Sequence, residues 1–124
     1  MSLREATPLK LSNSETTYVV SPQAWVFHKG LTFPKRTTAS KKYKDLYGIW
    51  FVLTQLKDTS IATQKAFPTL IQKNHESWTK TFKNNLKNWI ENASPKDWDL
   101  LTRQDVNGIL NKTNFEHAIQ LIVI

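Results

Sequence analysis

The chain has no cysteine, which excludes disulfide frameworks, thiol catalysis and zinc–thiolate sites. That lack fits a reducing compartment. No apolar run approaches the length of a membrane span, and residues 1–10 have no signal-like apolar core, so a cytoplasmic protein with no membrane partner is expected. Glycine is scarce: Gly30, Gly48 and Gly108 stand alone, too far apart to build a phosphate-cradling loop, and no nucleophile elbow occurs. Arginine is scarce too, at three residues against 14 lysines. Lysine is a compact point charge and arginine the residue of bidentate readout, so this balance points to a solvated cationic surface more than to base-specific recognition.

What is present is a chain of 124 residues and 14.4 kDa, 40% hydrophobic and rich in tryptophan, with five. Residues 1–124 read as a single domain, because a second core would be starved of apolar surface. The formal charge of +7 and pI near 9.7 favour anionic partners: nucleotide, nucleic acid or an acidic protein surface.

Residues 21–56 organise the rest. Ser21 is a helix cap and Pro22 sits at the first helical position, where its missing N–H costs nothing. Trp25, Val26, Phe27, Leu31 and Phe33 give this helix apolar surface, and Pro34 stops it. A second helix starts near Ala39 or Ser40, with Tyr43, Leu46, Tyr47, Trp50, Leu53 and Leu56 as its buried stripe. The short basic connection makes the two an antiparallel helical hairpin and turns Lys29 and Asp45 toward one region. Gly30 and Gly48, inside helical patterns where glycine costs about 1 kcal/mol relative to alanine, read as points of close helix–helix approach across the hairpin.

Before the hairpin, residues 8–20 read as a short β-hairpin or strand pair, needing either the helices or further sheet partners to be stable. After it, residues 60–124 read as further helices. One spans 61–73 and breaks near Pro68. A second covers 75–92, with Trp78, Phe82, Leu86 and Trp89 at helical spacing and Lys80, Lys83 and Lys87 on a solvent face. Three capping-box patterns follow, at Ser94–Asp97, Thr102–Asp105 and Thr113–Glu116, marking about three short helices. The fold expected is mainly α, a bundle of five to six helices with a short N-terminal strand pair. The closing Ile119–Ile124 run reads as a chain cut inside a hydrophobic element, or as a terminal element docked into the core.

Chemistry has few places to sit. Asp97-Trp98-Asp99 has the bare D-x-D spacing of a metal site, but those carboxylates share a face only on a strand. At a capped helix start the cap reading is favoured. His28, His75 and His117 have no short metal-ligand spacing, so no metal site is expected. The densest basic cluster is Lys29, Lys35, Arg36, Lys41, Lys42 and Lys44, which reads equally as a solvated loop and helix start or as an anion site. The last three lie at a helix N-terminus, where each opposes the macrodipole by roughly 0.3–1 kcal/mol, a placement an anionic ligand would offset.

Ser21-Pro22, Ala24, His28-Lys29 and Leu31, followed after a basic gap by Lys44-Asp45-Leu46-Tyr47, resemble the C-terminal part of bacterial nucleotidyltransferase-like proteins of the polymerase-β superfamily, of the abortive-infection toxin type. The resemblance covers roughly residues 17–56 and departs from the pattern at Gly48, where a second acid belongs. It implies that Lys29 contacts a nucleotide phosphate and that Lys44 and Asp45 orient the site; His28 and Arg36 complete the candidate substrate- and phosphate-binding set. It also implies that the paired catalytic aspartates, with magnesium and a nucleoside triphosphate, belong to an upstream catalytic domain of a longer protein. This chain then contains no catalytic residue of its own. The other class of reading is a stand-alone basic helical module that binds nucleic acid or an acidic protein.

Overall fold

A computed structural model describes the backbone of residues 6–10 and 16–123, with side chains over 21–123. Six α-helices account for most of it: α1 (Pro22–Thr32), α2 (Ala39–Thr54), α3 (Asp58–Lys73), α4 (Glu76–Asn92), α5 (Pro95–Thr102) and α6 (Lys112–Val123). The mainly helical class is therefore as expected. The backbone of Ala6–Lys10 runs antiparallel to that of Thr16–Val20. That pairing does not establish the expected hairpin, because its connecting residues and every side chain before Ser21 lie outside the described set.

The hairpin forms for local reasons. Ser21 Oγ accepts from the Ala24 N–H at 3.3 Å, with Pro22 opening α1. Pro34 ends it in a 3-10 turn, Phe33–Lys35. Helix α2 lies at the centre of the bundle, packing on α1, α3, α5 and α6, while α1 also packs on α3 and α4. Its buried face is Tyr43, Asp45, Leu46, Ile49, Trp50 and Leu53. Phe82 stacks between Phe27 and Phe67, with ring centroids at 5.0 and 5.7 Å. A second aromatic group joins Trp89, Trp98 and Phe115 edge to face. These pairings add about 0.5–1.5 kcal/mol each beyond area burial.

Both helical glycines mark close approaches, but only one lies across the hairpin. A Cβ on Gly48 would stand 2.6 Å from the Trp25 indole of α1. A Cβ on Gly30 would collide with the Phe82 ring of α4, so that approach is between α1 and α4. Asn85 of α4 fixes it by donating its amide to the carbonyls of Gly30 and Leu31, at 3.0 and 3.3 Å.

Downstream of the hairpin the structure departs from expectation three times. Helix α2 ends at Thr54, and α3 begins at Asp58 because Lys57 adopts φ +51° to turn the chain. The Ser60 hydroxyl closes the corner, accepting from the Leu56 N–H and donating to the Val52 carbonyl. Helix α3 then runs unbroken through Pro68. The proline is exposed, and buried Phe67 and Leu70 hold the helix on either side of it. Finally, two helices follow residue 93 instead of three. Ser94 and Asp97 make a true capping box, but Thr102 lies inside α5. Buried Asp105 forms a turn, accepting from the N–H groups of Asn107, Ile109 and Leu110 at 2.8–3.0 Å. Helix α6 is capped two residues early, by Asn111 accepting from the Asn114 N–H.

Among the described residues, no helix is long and apolar enough to cross a membrane.

Candidate functional site

Asp45 is the one acidic residue between positions 21 and 56, against six lysines and arginines. The helical period of α2 places it on the buried face beside Leu46 and Ile49, and only 6% of its side chain is exposed. A carboxylate so far from water needs cations, and both sides of the hairpin turn supply one. Lys29, from the last turn of α1, puts Nζ 3.5 Å from Oδ1. Arg36, just past the 3-10 turn, puts Nε 3.0 Å from Oδ2. The Arg36 contact is an ion pair without hydrogen-bond alignment, so Oδ2 has no directional donor. Lys29 also lies over Trp25, 5.6 Å from the ring centroid. The indole tip of Trp25 reaches Gly48, so that position of α2 is covered by an aromatic ring.

Three of the five expected site residues, Lys29, Arg36 and Asp45, thus meet at the mouth of the hairpin. Lys44 is exposed and makes no ion pair among the described residues. His28 lies on another side of α1, lining a cleft toward α4. Burial, followed by the charge of Lys29, holds its pKa below the ordinary histidine value, so the ring is neutral at physiological pH.

A metal has no donor set at the mouth. No three carboxylate or imidazole groups converge among the described residues, and Asp45 is already held between two cations. Nor do Asp97 and Asp99 act together. Asp97 accepts from the Ser94 N–H at 2.9 Å and from the Tyr43 hydroxyl at 2.7 Å, while Asp99 pairs with Arg103 at 3.0 Å. The hydrogen bond from Tyr43, then that from Ser94, hold Asp97 below the usual carboxylate range. The same bond to Asp97, reinforced by burial, pushes Tyr43 up to about 12.

Sequence reasoning missed two participants. Trp25 was legible as an i, i+4 neighbour of Lys29. The Tyr43–Asp97 bond joins residues 54 apart, and no local signal announces it. The chain matches no family model, no curated protein and no solved structure.

Proposed function

We propose that this chain is the C-terminal helical part of a nucleotidyltransferase-like protein, and that the mouth formed by α1 and α2 holds nucleotide phosphates. The observation that carries this reading is the way Arg36 meets Asp45. The contact is made through Nε, so the two terminal guanidinium nitrogens stay available as a fork for phosphate oxygens. The Asp45 charge draws the guanidinium to the mouth, and Lys29 adds a second charge whose ammonium has N–H groups beyond the one facing Asp45. Two cations on one carboxylate leave the cluster positive, and Lys41 and Lys44 are exposed in the opening turns of the same helix as Asp45.

On this reading the paired aspartates, the magnesium and the acceptor belong to an upstream catalytic domain. This chain contributes binding and orientation. Its own residues position phosphate oxygens and neutralise their charge, which is most of what a protein supplies to phosphoryl transfer.

The fork is tested by Arg36→Lys, which keeps the charge and removes the planar geometry. Titration calorimetry with inorganic triphosphate should show about a tenfold loss of affinity or more, in line with the 1.5–3 kcal/mol of a charge-assisted hydrogen bond. Equal affinity in wild type and Arg36→Lys would reduce the mouth to a generic cationic surface, as the stand-alone basic module requires.

A further inference from the structure

Between the end of α1 and the first turns of α4 lies a cleft of about 370 Å³, lined by His28, Leu31, Thr32 and Lys35 on one side and Trp78 and Thr81 on the other. Its size falls in the roughly 300–1,000 Å³ range of small-molecule sites. Its lining includes none of Lys29, Arg36 and Asp45, so its ligand is argued from a different set of residues than the mouth's.

Its chemistry is specific. Trp78 is 42% exposed, a large aromatic left partly uncovered at the rim. The Thr32 hydroxyl donates to the His28 carbonyl at 3.0 Å and the Thr81 hydroxyl to the Ser77 carbonyl at 2.9 Å. Each hydroxyl proton is thereby committed to its own helix, and each oxygen keeps lone pairs to accept from a ligand N–H. Nδ1 of His28 is buried without a partner, and the ring is neutral. Lys35 supplies the one positive charge among the lining residues. The cleft thus offers an aromatic face, hydroxyl acceptors and a single cation.

We propose that this cleft binds a nucleobase with its attached phosphate, the base stacked on Trp78 with its N–H edge toward Thr32 and Thr81, and the phosphate on Lys35. An acidic peptide suits the site poorly, because its carboxylates would face two hydroxyl oxygens that have no proton to give and only one cation. A purely apolar partner would leave Lys35 and both threonines unmatched. The same nucleotide unit can arrive free or as one residue of a single strand, since every base has a face to stack and stacking tolerates sequence.

The test uses titration calorimetry of the whole chain with four probes: AMP, adenosine, a ten-residue oligoadenylate and poly-glutamate. Trp78→Ala and Lys35→Ala are compared with wild type, and circular dichroism melts verify that each variant folds. Trp78→Ala should weaken binding roughly 5- to 150-fold, the range of base–aromatic stacking, with no change in the melt. Lys35→Ala should abolish the advantage of AMP over adenosine. Saturation by AMP alone identifies the free nucleotide as the ligand, and saturation by the oligomer only identifies a strand; either supports the cleft. Arg36→Ala should leave the Trp78-dependent component intact, which separates this site from the mouth. Undiminished binding in Trp78→Ala, poly-glutamate competing as well as oligoadenylate, or no saturable binding of any nucleotide probe would each overturn the proposal.

Discussion

Asp45 does at the residue scale what a buried carboxylate must: it draws Lys29 and Arg36 together and keeps their charges at the mouth. Asp45→Asn leaves those two cations facing each other. The expected loss is about 1–3 kcal/mol, well below that of a fully buried pair because both partners keep access to water. Lys29→Met should cost less, since Arg36 stays 3.0 Å from the carboxylate; urea melts at low salt measure both. A second residue-scale prediction concerns Tyr43 and Asp97. Asp97 is depressed in the folded chain, so its contribution is present above the unfolded carboxylate pKa and is lost as the pH falls through the lower folded value. Tyr43 is raised to about 12, so its contribution is complete below pH 10 and lost as the pH rises from there toward 12. Tyr43→Phe should cost about 1 kcal/mol at neutral pH and reduce the alkaline arm of a stability–pH profile, part of which remains because burial also raises Tyr47. Part of the acid arm should remain. Burial raises Asp105, but the N–H groups of Leu110, Asn107 and Ile109 outweigh it and hold it low. An alkaline arm unchanged in Tyr43→Phe would show that the bond contributes nothing.

Between elements, two glycines with the same local pattern should answer the same substitution differently. Gly30→Ala drives a methyl group into Phe82, which is itself stacked between Phe27 and Phe67 and has nowhere to go. A loss of about 1–3 kcal/mol is expected from overpacking. Gly48→Ala meets only the tip of Trp25, a half-buried ring at the hairpin surface. Turning that ring aside forfeits its contact with Lys29, and the roughly 1 kcal/mol gain in helix propensity offsets this. Thermal melts should place Gly48→Ala near wild type and Gly30→Ala clearly below it. The sequence showed that both glycines mark close approaches, but not which helix comes near, because periodicity gives a face and not the neighbour. The same distinction explains the caps. Ser94-Pro95 with Asp97 could be read locally and was correct. Thr102–Asp105 has the same spelling, yet Asp105 is taken by three N–H groups of the turn after it. Pro68 looked like a break because the local rule ignores the buried residues on either side.

For the molecule as a whole, the helical class was legible in the 3.6-residue stripes of α1, α2 and α4. The convergence of Lys29 and Asp45 was legible in the shortness of their connection. Arg36 as the nearer partner of Asp45 was not, since it depends on how the 3-10 turn aims one side chain. The cleft at Trp78 was invisible, because it joins α1 to a helix more than 40 residues later in the chain. If the proposed function holds, purified chain incubated with labelled nucleoside triphosphates and magnesium should label no acceptor; labelling of any acceptor would contradict that proposal. In the proposed function phosphate is held by the arrangement at the mouth and not by net charge. That reading is tested most directly by measuring triphosphate affinity, at one ionic strength, in four single variants that each remove one positive charge: Lys29→Met and Arg36→Ala at the mouth, Lys80→Met and Lys87→Met on the exposed face of α4. The account predicts about a tenfold loss or more for each mouth variant, and less than about twofold for each variant on α4, where exposed charges are screened. Equal losses in all four would contradict it.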